Sequence, residues 1–68
     1  MKANTRQNRI LQVLASREEA TVEALAGLLR VSAMTIRRDL TRLEHAGRVR
    51  RTHGGATLSW AGVVEFSF

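Results

Sequence analysis

Only Arg30 and Val31 lie between one stretch of helical apolar spacing and the N-cap residue of the next, and this short connection constrains the fold more than any other feature. The first stretch runs from Val22 to Leu29 and follows Thr21, whose hydroxyl suits a helix N-cap. Val22, Leu25, Ala26, Leu28 and Leu29 are expected to turn inward. The second stretch follows Ser32, another good N-cap residue, and is expected to end near Ala46. Gly47 then supplies the left-handed residue that closes it. Two helices joined by so short a turn form a helix-turn-helix.

The flanking segments extend this unit. About residues 4–16 carry an apolar stripe of Ile10, Leu11, Val13 and Leu14, and Asn4 with Gln7 has the spacing of a capping box. The segment Arg17-Glu18-Glu19-Ala20-Thr21 breaks the pattern. After Gly47 the period changes. Residues 48–53 favour an extended chain, Gly54-Gly55 supplies a tight turn, and Ala56-Thr57-Leu58 returns as a second strand. An isolated hairpin is marginal in water, so Val49 and Leu58 must anchor this ribbon on the helices. The expected fold is mainly α with a small β-ribbon, a three-helix winged helix-turn-helix domain.

Size agrees with that expectation. The chain has 68 residues, room for one small domain and not for a doubly wound nucleotide-binding sheet. It has no Cys, which excludes disulfides and thiolate metal sites and is compatible with a reducing compartment. No apolar run approaches the roughly 18 residues of a membrane span, and the first ten residues lack the apolar core of a signal peptide. Eight Leu, six Val and two Ile make an aliphatic core. The three aromatic residues, Trp60, Phe66 and Phe68, all follow Leu58. Residues 1–58 are therefore expected to form the domain. Residues 59–68, too apolar for a solvated tail, are expected to lead into a further C-terminal domain, with Trp60 as an interface residue.

Charge points to the partner. Lys plus Arg number 11 against 6 acidic residues, a net charge of +5, and ten of the eleven are Arg. Residues 37–51 concentrate Arg37, Arg38, Arg42, Arg48, Arg50 and Arg51 against only Asp39 and Glu44, whereas residues 18–36 are net acidic. Such a patch is the footprint of a polyanion site, and guanidinium forks suit phosphates and base edges.

The periodicity of the third helix sorts its residues. At about 100° per residue, Ala33, Ile36, Leu40 and Leu43 fall on the core face. Met34, Arg38, Thr41 and His45 lie opposite, flanked by Thr35, Arg37 and Arg42. This face carries donors that a DNA major groove accepts. Arg38 is expected to read bases, with Arg37 beside it on a base or phosphate. Ser32 and Thr35 are placed to offer hydroxyls to the backbone. Arg48, Arg50 and Arg51 are expected to track phosphates along the wing, one of them entering the minor groove, and His53 at the ribbon's tip is expected to stabilise the turn or donate to a phosphate. Asp39 is expected nearer the core edge, orienting a neighbouring arginine.

Other chemistry finds less support. His45 and His53 without Cys make a poor metal site. Ser32, Asp39 and a His hint at a hydrolase triad, but Ser32 is the N-cap and no nucleophile elbow is present. No cofactor site and no enzyme activity are expected. A solvated basic surface would need no partner. A winged-helix module for an acidic protein remains the competing class. Such a module presents apolar anchors, and on this face only Met34 qualifies.

One set of motifs is more specific. Val31-Ser32, then Thr35-Ile36-Arg37-Arg38-Asp39-Leu40, Leu43-Glu44, Gly47, Arg51 and His53-Gly54-Gly55-Ala56 resemble the N-terminal domain of the DeoR-type repressors of sugar catabolism. The resemblance covers about residues 6–58. It implies a winged helix-turn-helix whose third helix enters the major groove of double-stranded operator DNA. It implies a cytoplasmic, nucleoid-associated bacterial regulator, a repressor of genes for sugar or related carbon catabolism. In that family a larger C-terminal domain binds a sugar phosphate and makes the intact protein a homo-oligomer. Residues 64–68 resemble the linker before it. Two departures stand out: Arg30 replaces the Gly or other small residue common at the turn, and Arg48 and Arg50 make the wing more basic.

Overall fold

The computed structural model describes residues 2–59, so the expectations for Trp60 and the rest of the apolar tail lie outside the described residues. The element order is α1 (Ala3–Ser16), β1 (Ala20–Thr21), α2 (Val22–Leu29), α3 (Ala33–His45), β2 (Val49–Thr52) and β3 (Gly55–Leu58). Three helices and a small antiparallel sheet make a mainly helical winged helix-turn-helix.

α1 begins earlier than its sequence pattern indicates. Lys2 holds the N-cap position in an extended conformation, without a side-chain cap. Asn4 therefore lies inside the first turn, and the Asn4–Gln7 capping box does not form. The Gln7 amide instead donates to Asp39 Oδ1 at 3.3 Å.

α2 and α3 are capped as expected. Thr21 Oγ1 accepts from the Ala24 N–H at 3.0 Å, and Ser32 Oγ accepts from the Thr35 N–H at 3.1 Å. Val22, Leu25 and Leu29 are buried, but Leu28 is 50% exposed, contrary to its expected inward place. The helical wheel explains this: Leu28 falls roughly 60° outside the arc occupied by its buried neighbours. Between the helices Arg30 adopts φ 59° and ψ 45°, and both its N–H and that of Val31 reach the Ala26 carbonyl. A left-handed conformation costs a non-glycine residue about 1–2 kcal/mol, which this turn bears to keep its tight geometry. α3 closes with Gly47 at φ 75° and an Arg48 N–H to Leu43 carbonyl bond of 2.9 Å.

The ribbon has a third strand that sequence patterning missed. The sheet order is β1-β3-β2, all antiparallel, with Ala20 opposite Ala56 and Thr21 opposite Gly55. β2 pairs Val49 with Leu58, Arg50 with Thr57, Arg51 with Ala56, and Thr52 with Gly55. β1 has only two residues, too few to show a period, and it lies within the segment that broke the helical pattern. Further bonds fasten it: the Val22 N–H donates to the Gly54 carbonyl at 2.9 Å, and the Thr57 hydroxyl donates to the Glu18 carbonyl.

The hairpin turn is also shifted by one residue. It consists of His53-Gly54, and Gly55 belongs to β3. The two glycines answer different needs. Gly54 takes φ 85°, a region that favours glycine. Gly55 is buried against β1, where a Cβ would collide with the Ala20 carbonyl and stand 2.9 Å from Thr21 Cα.

The core is aliphatic. Ile10 and Leu14 of α1, Val22, Leu25 and Leu29 of α2, and Ile36, Leu40 and Leu43 of α3 enclose it, with Ala20, Val49 and Ala56 from the sheet. Leu58 packs against its margin. Among the described residues, no helix is long and apolar enough to cross a membrane.

Candidate nucleic-acid interface

α3 is set in place by its buried residues, Ile36, Leu40 and Leu43, and by Asp39, which is only 1% exposed. Asp39 is thus fully interior rather than at the core edge. Its partner is not a neighbour in sequence. Arg6 of α1 donates Nε to Oδ2 and Nη2 to Oδ1, the latter at 2.9 Å. This hydrogen bond is the main reason the Arg6 guanidinium is raised above its ordinary value, with the Asp39 charge adding to it against the opposing effect of desolvation.

Burying that face presents the other. Met34, Arg37, Arg38, Thr41, Arg42 and His45 are exposed, as is the capping Ser32, while Thr35 is half-buried. Several of these side chains already have partners. Ser32 Oγ and Thr35 Oγ1 lie 3.0 Å apart. The Thr41 hydroxyl donates to the Arg37 carbonyl at 2.9 Å, so its proton is directed along the helix and its lone pairs face outward as acceptors. Arg38 Nη2 donates to Met34 Sδ at 3.8 Å.

The wing adds a second set. Arg48 precedes β2, Arg50 and Arg51 lie on it, and all three are exposed. His53 is exposed at the turn. α3 packs directly against β2. Glu44, on the last turn of α3, accepts the Arg51 backbone N–H at 3.2 Å. That bond occupies the outward N–H of an edge strand and ties the wing to the helix.

The electrostatic consequence follows from the acids. Only Asp39 and Glu44 accompany the six arginines of residues 37–51. Asp39 is buried with Arg6, and the Glu44 carboxylate holds a backbone N–H. Among the described residues the only ion pair is Arg6–Asp39, so none of the six arginines has an acidic partner within ion-pair distance. Unpaired guanidinium groups on a helix and an adjoining strand attract a polyanion. Among the described residues no three His, Asp or Glu side chains gather as a metal-holding group.

Sequence reading missed Arg6, Gln7 and Glu44 as contributors. Nothing local marks Arg6, which meets Asp39 across 33 residues. The separation of 7 between Glu44 and Arg51 becomes a contact only once the Gly47 turn is made.

A helix-turn-helix with a basic wing packed on its second helix defines the winged helix-turn-helix class, a DNA-binding architecture. Comparison with known proteins narrows it. The DeoR-like helix-turn-helix domain model matches residues 6–60, and the chain belongs to that family. It is similar to the HTH-type transcriptional regulator GolR of Listeria innocua, 45% identical over 53 residues, covering 78% of this chain and 21% of that protein. It is similar to the HTH-type transcriptional repressor CsqR of Escherichia coli, 39% identical over 68 residues, covering 100% of this chain and 26% of that protein. The L-fucose operon activator of Escherichia coli is 46% identical over 56 residues, covering 82% of this chain and 23% of that protein. By name these relatives are transcriptional regulators, not enzymes, and the chain spans between 21% and 26% of their length. No solved structure matches the chain.

Proposed function

We propose that this chain is the operator-reading end of a transcriptional regulator, with α3 in the major groove and the wing on the DNA backbone. The observation that carries the proposal is the set of six exposed arginines on α3, β2 and their connection, none of them ion-paired among the described residues. Arg38 reads base edges, with Arg37 beside it. Met34, Thr41, Arg42 and His45 complete the groove face, while Ser32 and Thr35 approach the phosphates at the start of the helix. Arg48, Arg50, Arg51 and His53 contact the backbone or the minor groove. The regulated genes belong to sugar or related carbon catabolism, a reading supported by relatives such as the L-fucose operon activator. The direction is repression, as in the name of the CsqR relative, while the L-fucose relative is named an activator.

In the same reading residues 1–58 are the DNA-binding domain, and residues 59–68 lead to a larger domain that binds a sugar phosphate and assembles the protein as a homo-oligomer. Oligomerisation matters because two reading heads on half-sites gain about 10²–10⁴ in affinity through effective concentration.

A titration tests the core of the proposal. The chain is mixed with a randomised duplex library, and the enriched duplex and a scrambled control are then titrated at 50 and 200 mM salt. Preference for the enriched duplex, with affinity falling steeply with salt, is the expected result. Equal, salt-insensitive binding to both duplexes would remove the reading in favour of an acidic protein partner.

A further inference from the structure

We infer that Met34 and Arg38 act as one reading unit, which recognises a thymine next to a guanine in the major groove. The inference rests on the placement of α3 in that groove and adds the chemistry it selects.

Met34 is 60% exposed and is one of two large exposed hydrophobic residues among the described residues. The other, Leu28, lies on α2, whereas Met34 sits on the first turn of α3 within the arginine face. The remaining aliphatic residues of α3, Ile36, Leu40 and Leu43, are all buried, so Met34 is the one apolar group this helix leaves uncovered. Core packing does not account for it.

Its contact with Arg38 does suggest a use. The two residues are one helical turn apart, and Nη2 donates to Sδ at 3.8 Å. The thioether thus lies against the guanidinium. Arg carries five N–H donors. One is directed at sulfur, and the others are sufficient for the paired bonds to guanine O6 and N7 that make up the commonest specific contact in the major groove. With the two heads in contact, a guanidinium engaged on one base pair brings the thioether and its terminal methyl to the edge of an adjacent pair. On that edge the C5-methyl of thymine is the distinctive apolar group, and cytosine lacks it. Met34 favours thymine because it buries that methyl, and disfavours cytosine because its amino group would lose water against an apolar side chain without gaining an acceptor.

Deoxyuridine separates recognition of the methyl from a purely orienting role. It pairs as thymine does and lacks only that methyl. Duplexes enriched by the chain are expected to share a thymine adjacent to a guanine. Replacing that thymine by deoxyuridine should weaken binding about three- to fivefold, the worth of one buried methyl group. In Met34→Ala the two duplexes should bind equally, and Met34→Leu, which keeps apolar bulk without sulfur, should restore a preference for thymine. The exposure of Met34 makes these variants benign to folding, which circular dichroism can check. An enriched sequence whose thymines all tolerate deoxyuridine would overturn the pair and leave the groove assignment standing. So would a methyl preference that survives in Met34→Ala. If no sequence is enriched at all, the groove assignment fails, and the pair with it.

Discussion

Arg6 of α1 grips Asp39 of α3 through two hydrogen bonds, and Asp39 is the residue that directly follows Arg38. The pair holds α1 against the buried face of α3. Aliphatic packing alone permits small rotations of a helix about its axis. A bidentate contact has a preferred plane, so the pair fixes the direction in which Arg37 and Arg38 point.

Breaking one side of this pair should be costly. Arg6→Met leaves the buried Asp39 carboxylate with only the longer Gln7 bond, and losing a partner in a buried pair costs about 3–5 kcal/mol. For so small a core that approaches the whole stability. Arg6→Met/Asp39→Leu should recover most of it, because neither charge is then stranded. Urea denaturation of the two single variants and the double gives the coupling. A coupling near zero would mean that the pair does not hold α1 to α3. The pH dependence has a definite sign from the arginine side. A raised guanidinium contributes stability that is fully present below its unfolded value and lost only as pH rises through the folded one. Arg6 therefore introduces no loss across the neutral and mildly alkaline range.

The two wing glycines should differ in cost. Gly54→Ala places a side chain in open space but at φ 85°, for about 1–2 kcal/mol. Gly55→Ala drives a methyl into the backbone of β1, where no side-chain rotation gives relief, and should cost more than Gly54→Ala. In a domain of this size each kcal/mol lowers the melting temperature by about 4–8 °C. Thermal melts should rank the parent first, Gly54→Ala second and Gly55→Ala last. The reverse order of the two variants would mean that β1 does not sit against Gly55.

What the sequence discloses here is what short-range chemistry encodes. Thr21, Ser32 and Gly47 mark helix ends because each acts on backbone groups within a turn of itself. Ile36, Leu40 and Leu43 identify a buried face through periodicity alone. The six arginines are legible as a patch since charge can be counted. Features that depend on contacts made later stay hidden. Asp39 looks like a residue at the core margin until α1 brings Arg6 to it. Ala20 and Thr21 become a strand only because β3 offers them an edge. The Gly54-Gly55 pair reads as a turn, and the separate reason for Gly55 lies in β1. Likewise, the acids of the basic segment appear to offset its charge until their partners are known.

Glu44 should control the wing through one hydrogen bond. Glu44→Ala removes the acceptor of the Arg51 N–H, a loss of about 0.5–1.5 kcal/mol in local stability. Hydrogen exchange at the Arg51 amide should accelerate. Glu44→Gln retains an oxygen acceptor and should protect that amide nearly as well as the parent. Both variants remove a negative charge from the basic segment, so both should bind DNA of any sequence somewhat more tightly at low salt. Unchanged exchange in Glu44→Ala would show that this bond does not tether the wing.

The last expectation contrasts the helix with the wing. An arginine on a base edge makes bonds whose geometry depends on which base is present, whereas an arginine on a phosphate meets the same oxygens everywhere. Arg38→Ala should therefore cost about 1–3 kcal/mol on the enriched duplex and much less on a scrambled one, because discrimination is what it supplies. Arg50→Ala should weaken both duplexes alike. It should also flatten the plot of log affinity against log salt by about one unit, the signature of one lost phosphate contact. Both side chains are exposed, so neither substitution opens the core or confuses binding with folding. Titrations of the two variants on the two duplexes across a salt series distinguish the roles. If Arg50→Ala changed the preferred sequence at a constant salt slope, the wing would be reading bases; if Arg38→Ala only changed the slope, α3 would be lying along the backbone.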